Sequence, residues 1–291
     1  MAEFKLEGVG VALVTPFKKD LTIDFDGLTA VIEHVIQGGC NYIVALGTTA
    51  ETPTLSVEEK ILLTDFIRSK VDGRVPLIIG IGGNNTERVV RVIKERDLKG
   101  YSAILSVTPF YNKPTQTGLF MHYKKIAENS PLPIILYNVP SRTGVNLTAE
   151  TTLKLAEIPN ITGIKEASGN LEQIREIIDN KPENFNVISG DDAFTCEIMK
   201  RGGSGVISVL ANAFPKAILN LTRLCLENRI EEAACAQNKL KDIISHLFEE
   251  GNPAGVKCIL SLQGLIENNL RLPLVPVSKN TENKIKRSMS L

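Results

Sequence analysis

Lys165 follows the apolar run Ile161-Thr162-Gly163-Ile164, so the chain carries an amine to the end of a buried segment. Desolvation at such a place disfavours an ammonium and favours the neutral form. A neutral amine can attack a carbonyl carbon and form a Schiff base. Position alone leaves a second reading, a solvated lysine at the rim of a sheet. Tyr137 ends another run, Pro133–Tyr137, where a phenol could give and take a proton while a carbinolamine forms and collapses. It could equally be a half-buried core tyrosine with a satisfied hydroxyl. Gly47-Thr48-Thr49 offers two hydroxyls and free N–H groups on a turn, which suits the carboxylate of a small acid. Arg142, within Pro140-Ser141-Arg142-Thr143-Gly144, could hold a carboxylate by two parallel hydrogen bonds or stand as an exposed loop arginine.

Metal and phosphate chemistry find little support. His34, His122 and His246 are far apart and fall in helix-like segments, there is no H-E-x-x-H, and the cysteines lack ligand spacing. Asp191-Asp192 could attract Mg²⁺, but Asp191 reads better as a helix N-cap. Gly80-Ile81-Gly82-Gly83 is glycine-rich, yet no Lys-Ser/Thr follows it as a P-loop requires.

The elements that must position these groups alternate along the chain. Eight short runs rich in Ile and Val read as strands: Gly8–Val14, Tyr42–Leu46, Pro76–Ile81, Tyr101–Val107, Pro133–Tyr137, Ile161–Ile164, Asn186–Ser189 and Gly205–Val209. Most lack apolar/polar alternation, as strands of a parallel sheet covered on both faces do. Helical spacing fills the intervals. Leu28, Val31, Ile32 and Val35 share one face before Gly38-Gly39, and Ser56-x-x-Glu59 forms a capping box ahead of Leu62, Leu63, Phe66 and Ile67. Eight successive β-α units favour an α/β fold of the closed (β/α)₈ barrel kind. A doubly wound open sheet is the alternative, and the absence of G-x-G-x-x-G after the first run weakens its dinucleotide-binding form. After about Ala213 only helical patterns remain, such as Leu240, Ile243, Ile244, Leu247 and Phe248. The expected division is a barrel over 1–224 with a helical extension over 225–291 packed on it.

In such a barrel the active site forms at the C-terminal ends of the strands. That rule gathers Lys165, Tyr137, Gly47–Glu51 and Thr108–Tyr111, with Thr15, Asp191-Asp192 and Asn212, at one rim. The 291 residues carry 33 Lys plus Arg against 33 Asp plus Glu, a net charge of zero, which gives no electrostatic reason to expect nucleic acid or an anionic membrane as partner. The apolar stretches are short and broken, so none reads as membrane-spanning. The five cysteines are scattered without C-x-x-C, which fits free thiols in a reducing compartment. The first residues show no basic segment leading into an apolar run, so no signal peptide is expected and the cytoplasm is the default.

Six segments together make the chain resemble the dihydrodipicolinate synthase family of the N-acetylneuraminate lyase superfamily. They are Gly47-Thr48-Thr49-Ala50-Glu51, Thr108-Pro109-Phe110-Tyr111-Asn112-Lys113-Pro114 and Tyr137-Asn138-Val139-Pro140-Ser141-Arg142-Thr143-Gly144, then Gly163-Ile164-Lys165-Glu166-Ala167-Ser168, Ser189-Gly190-Asp191-Asp192 and Gly205-Val206-Ile207-Ser208-Val209. The resemblance covers nearly the whole chain. It implies a lyase of lysine and diaminopimelate biosynthesis that joins pyruvate to L-aspartate 4-semialdehyde, without a cofactor or metal. Lys165 would form the imine with pyruvate. Tyr137, Thr48 and Tyr111 would form a proton relay, with Tyr111 reaching across a dimer interface. Thr48 and Thr49 would hold the pyruvate carboxylate, Arg142 would bind the semialdehyde carboxylate, and the carbonyl of Ile207 would lie near the imine. The implied assembly is a homotetramer of two dimers.

Some positions depart from the family pattern. Ala50 replaces a common glycine; its methyl tightens the turn if φ is negative and strains it otherwise. Gly255 stands where relatives often have proline. In lysine-inhibited relatives an acidic residue and a tyrosine hold the effector; the corresponding positions here are Arg88 and Phe110, and Val57 and Lys60 also differ. Weak or absent inhibition by L-lysine is the expectation. Two other readings remain beside the synthase: a sister aldolase acting on sugar acids, which Arg142 disfavours, and a non-catalytic keto-acid binder, which an intact relay disfavours.

Overall fold

The computed structural model describes residues 5–289. Eight strands form a closed parallel barrel in sequence order, β1 to β8, with β8 pairing back onto β1. In chain order the first half runs β1 (Gly8–Ala12), α1 (Phe25–Gln37), β2 (Tyr42–Ala45), α2 (Val57–Val71), β3 (Leu77–Gly80), α3 (Thr86–Glu95), β4 (Ala103–Val107) and α4 (Gln116–Glu128). The second half runs β5 (Ile134–Asn138), α5 (Pro140–Thr143), α6 (Ala149–Ala156), β6 (Ile161–Glu166), α7 (Leu171–Asn180), β7 (Asn186–Ser189), α8 (Thr195–Lys200) and β8 (Gly205–Ser208). Four helices follow: α9 (Pro215–Leu226), α10 (Ile230–Phe248), α11 (Ala254–Leu262) and α12 (Lys279–Ser288). The barrel reading holds, and the open sheet is excluded.

Strand alternation divides the core into two layers. Side chains pointing inward, among them Tyr42, Val44, Ile78, Leu105, Ile135, Ile188 and Ile207, fill the barrel interior. Those pointing outward meet the helices in the larger cluster, where Leu28, Val31, Ile32 and Val35 of α1 are fully buried as their spacing predicts. The capping box also forms: Ser56 Oγ accepts from the Glu59 N–H at 3.1 Å, and the Ser56 N–H donates to Glu59 Oε2 at 2.9 Å. On α2, Leu63 and Ile67 are buried and Phe66 packs half-buried against the core, whereas Leu62 is exposed beside Val57 and Ile61, so this helix presents a second apolar face to solvent. Leu240, Ile243, Ile244 and Leu247 bury one face of α10, which carries the helical extension back across the barrel rim.

The sixth strand differs from expectation in a way that matters for chemistry. It continues through Lys165 to Glu166 rather than stopping at Ile164. The β5–β6 register slips by one residue, with Ile134 opposite Ile161 but Ile135 opposite Gly163. An unshifted ladder would set Tyr137 against Ile164; the slip sets it against Lys165.

Candidate active site

Because successive strand residues face opposite sides, the pairing of Tyr137 with Lys165 and of Asn138 with Glu166 sorts four polar groups into two environments. Lys165 and Tyr137 point inward, and the Lys165 Nζ lies 4.4 Å from the centroid of the Tyr137 ring. Lys165 is only 5% exposed, and no described carboxylate comes within 4.0 Å of its Nζ. Glycine at 190 makes room for the lysine stem: a Cβ there would stand 3.0 Å from Lys165 Cγ and Cε. Outward, Glu166 accepts from Asn138 Nδ2 at 2.7 Å, from Gln173 Nε2 at 3.0 Å and from the Ser168 N–H at 3.0 Å. Burial pushes the Glu166 carboxyl up, and these donors oppose the shift.

A cavity of about 860 Å³ opens above the strand ends, between the barrel rim and α10. Thr48, Thr49, Tyr137, Arg142 and Lys165 all line it, so five of the seven residues singled out by sequence meet at one place. Arg142, on the short α5 that begins at Pro140, is exposed and makes no ion pair with a described residue. Ile207 is buried in β8 within the barrel interior and contributes no side chain to the cavity wall. Tyr111 also stays outside the cavity: it is 86% exposed and sits at φ 71° on the loop after β4.

The turn after β2 is held from several sides. Thr48–Ala50 forms one 3₁₀ turn, and Glu51 takes the left-handed conformation at φ 53°. Ala50 is not at positive φ, so its methyl meets no backbone strain, and its carbonyl accepts from Thr15 Oγ1 at 2.9 Å. Glu51 forms a fully buried ion pair with Lys257 of α11, and its other oxygen accepts from the Arg271 N–H at 3.1 Å. Burial pushes the Lys257 ammonium down to about 8, while the Glu51 carboxylate pulls it back up. Lys257 also donates to the Asn269 carbonyl at 2.9 Å and lies 4.2 Å from the Phe17 ring centroid. At the front of the turn, Asn252 Nδ2 donates to Thr49 Oγ1 at 2.9 Å.

Other rim residues have structural work. Asp191 caps the 3₁₀ turn Asp192–Phe194 by accepting from the Ala193 N–H at 2.9 Å, as its N-cap reading predicts. Asp192 is fully buried and accepts from the Val209 and Leu210 N–H groups at 3.0 Å each and from the Ser208 hydroxyl. It thereby pins the chain leaving β8. Asn212 stitches that segment to β1 through the Ala12 carbonyl and the Val14 N–H. Among the described residues no cluster of His, Cys, Asp or Glu could hold a metal ion. All five cysteines are free, and no described helix is long and apolar enough to cross a membrane.

Asn252 and Lys257 were missed in the sequence. Each reaches its partner across more than 200 residues, and neither sits in a motif. The profile of the dihydrodipicolinate synthetase family matches residues 5–291. The chain belongs to that family. The 4-hydroxy-tetrahydrodipicolinate synthase of Parabacteroides distasonis is 50% identical over 287 residues, 98% of this chain and 97% of the relative. The dihydrodipicolinate synthase of Thermotoga maritima superposes with a TM-score of 0.94 at 40% identity, covering 97% of both chains. The enzyme from Acinetobacter baumannii, solved in complex with pyruvate, superposes with a TM-score of 0.95 at 42% identity, covering 98% of both. Membership in the dihydrodipicolinate synthetase family thus extends over the barrel and the C-terminal helices alike.

Proposed function

We propose that this chain is a 4-hydroxy-tetrahydrodipicolinate synthase, a lyase that captures pyruvate on Lys165 and condenses it with L-aspartate 4-semialdehyde in lysine and diaminopimelate biosynthesis. The observation that carries the reading is the buried Lys165 amine against the Tyr137 ring at the floor of a polar-rimmed cavity. Lys165 attacks the keto carbon of pyruvate, and loss of water leaves the imine. The imine loses a methyl proton to become an enamine, whose carbon attacks the aldehyde. The amine of the second substrate then displaces Lys165 as the ring closes.

Thr48 and Thr49, with the N–H groups of their turn, hold the pyruvate carboxylate. The unpaired Arg142 guanidinium, at the cavity mouth, takes the carboxylate of the semialdehyde. Tyr137, Thr48 and Tyr111 carry protons to and from the reacting atoms. Tyr111 is too exposed to serve its own cavity, which supports its donation to the site of a second copy. We therefore read the working unit as at least a dimer and the assembly as a homotetramer of two dimers, in the cytoplasm. The Ile207 carbonyl lies beside the imine in this reading. No cofactor is needed, because the protein supplies its own carbonyl-trapping amine.

Borohydride reduction in the presence of pyruvate tests the first step, and a stable adduct on Lys165 is expected. An unmodified Lys165 at saturating pyruvate would refute the proposal. A coupled assay with aspartate semialdehyde beside one with N-acetylmannosamine tests the second substrate. Turnover of the sugar alone would move the assignment to a sister aldolase.

A further inference from the structure

Asn252 lies on the loop between α10 and α11, outside every motif of the barrel, yet it is buried and lines the cavity. Its Nδ2 donates to Thr49 Oγ1 at 2.9 Å, and its Oδ1 is buried with no hydrogen-bond partner among the described residues. Thr49 itself is 1% exposed, and no described residue accepts the proton of its hydroxyl. A hydroxyl has one proton and two lone pairs. With a lone pair occupied by the Asn252 amide and its proton accepted by no described residue, the Thr49 hydroxyl is free to donate into the cavity that it lines. The far end of the same turn is clamped by the Lys257–Glu51 pair, which holds the turn in place.

We propose that Asn252 is a positioning residue that presents the Thr49 hydroxyl as a hydrogen-bond donor, so that the cavity favours a carboxylate at this point. The inference rests on the reading of Thr49 as a pyruvate-carboxylate ligand. The helical extension thereby sets the substrate preference of a turn on the barrel. Reversing the donor would do double harm: an acceptor at 252 takes the Thr49 proton and, when ionised, sets a negative charge beside the substrate carboxylate.

The test follows the pyruvate concentration that gives half-maximal borohydride-trapped adduct, read by intact mass, together with steady-state kinetics. Asn252→Ala is expected to raise that concentration about tenfold, the effect of losing one aligned hydrogen bond to a charged group. Asn252→Asp, of the same size, raises it further than Asn252→Ala does, because the new carboxylate takes the Thr49 proton and repels the substrate carboxylate. In both, turnover at saturating pyruvate falls less than half-saturation rises, and half-saturation by the semialdehyde stays put. In a Thr49→Val background Asn252→Ala adds nothing. Wild-type concentration dependence in both Asn252 variants, a smaller loss in Asn252→Asp than in Asn252→Ala, or additive losses with Thr49→Val would each overturn the inference. If Asn252→Ala fails to fold, the isosteric Asn252→Asp decides, and wild-type half-saturation in it overturns the inference. A wild-type chain that forms no adduct refutes the functional reading instead, so the two failures remain distinct.

Discussion

Lys165 and Glu166 are neighbours on one strand, both buried, both ionisable, and they meet opposite fates. Lys165 faces inward, where its amine has a ring for company and no counter-charge within ion-pair distance. Glu166 faces outward, where three donors saturate its oxygens. The difference shows how a barrel separates chemistry from architecture: the inner face of the strand ends keeps reactive groups unsatisfied, and the outer face uses polar groups to lock loops to helices. Glu51, Asp192 and Asn212 follow the outer pattern, while Thr49 and Arg142 follow the inner one.

The sharpest way to break this comparison is to remove each neighbour in turn. On the proposed role of Lys165 as nucleophile, Lys165→Ala should lower turnover by about 10⁴-fold or more and abolish the trapped adduct. Its urea midpoint should stay near that of wild type, because the lost amine made no ion pair with a described residue. Glu166→Ala should do the reverse, lowering stability by about 3 kcal/mol by leaving the Asn138, Gln173 and Ser168 donors unpaired in a buried site. Denaturation of both variants beside trapping assays checks the pair; a Glu166→Ala chain as stable as wild type would erase the distinction.

Burial without chemistry gives a second contrast. His122 on α4 is 5% exposed, its Nδ1 is 2.8 Å from Thr86 Oγ1, and burial pushes its pKa from 6.5 down to about 4. As pH falls below 6.5 the unfolded chain takes up a proton that the folded chain refuses. The contribution is intact above pH 6.5, declines as pH drops, and is fully lost below about 4. The loss amounts to about 3 kcal/mol, so urea midpoints should fall over that window and His122→Gln should flatten the slope. A wild-type profile indistinguishable from that of His122→Gln would show that His122 is not the group responsible.

Tyr111 sharpens the comparison from outside the cavity, since it is reactive in kind yet exposed. Tyr111→Phe should reduce turnover by about a hundredfold while leaving the Lys165 adduct able to form. Unchanged turnover would remove it from the relay and free the site from dependence on a second copy.

The eight strands and the order of the rim segments could be read from β-rich runs at regular spacing, because parallel barrel strands are apolar on both faces. Five of the cavity residues were legible for the same reason: each follows or ends such a run. The register slip at Ile135 was not, since a one-residue shift leaves the apolar pattern of Ile161–Ile164 unchanged while deciding which residue opposes Tyr137. Nor were the contacts of Asn252 and Lys257, which depend on how the last helices return over the rim rather than on local periodicity. On α2 the apolar positions Leu62, Leu63, Phe66 and Ile67 look alike in the sequence, but periodicity cannot separate a face buried in the chain from one left outside, where Leu62 lies.

The smallest expected effect concerns that outer surface. Lys60 of α2 is pushed down by burial and by the nearby Arg88 and Arg96, and none of these three cations forms an ion pair with a described residue. Phe110, 43% exposed on the loop after β4, has no hydroxyl to offer. If a lysine effector docks beside these cations, its ammonium meets a field of the same sign, which opposes binding. L-lysine at about millimolar concentration should therefore change the initial rate by less than about twofold, since like charges oppose binding. Arg88→Glu combined with Phe110→Tyr should increase sensitivity by turning repulsion into attraction and adding a donor. Submillimolar inhibition of the unmodified chain would show that the effector is held by groups other than these, and would separate the outer surface from the simple charge logic that distinguishes Lys165 from Glu166.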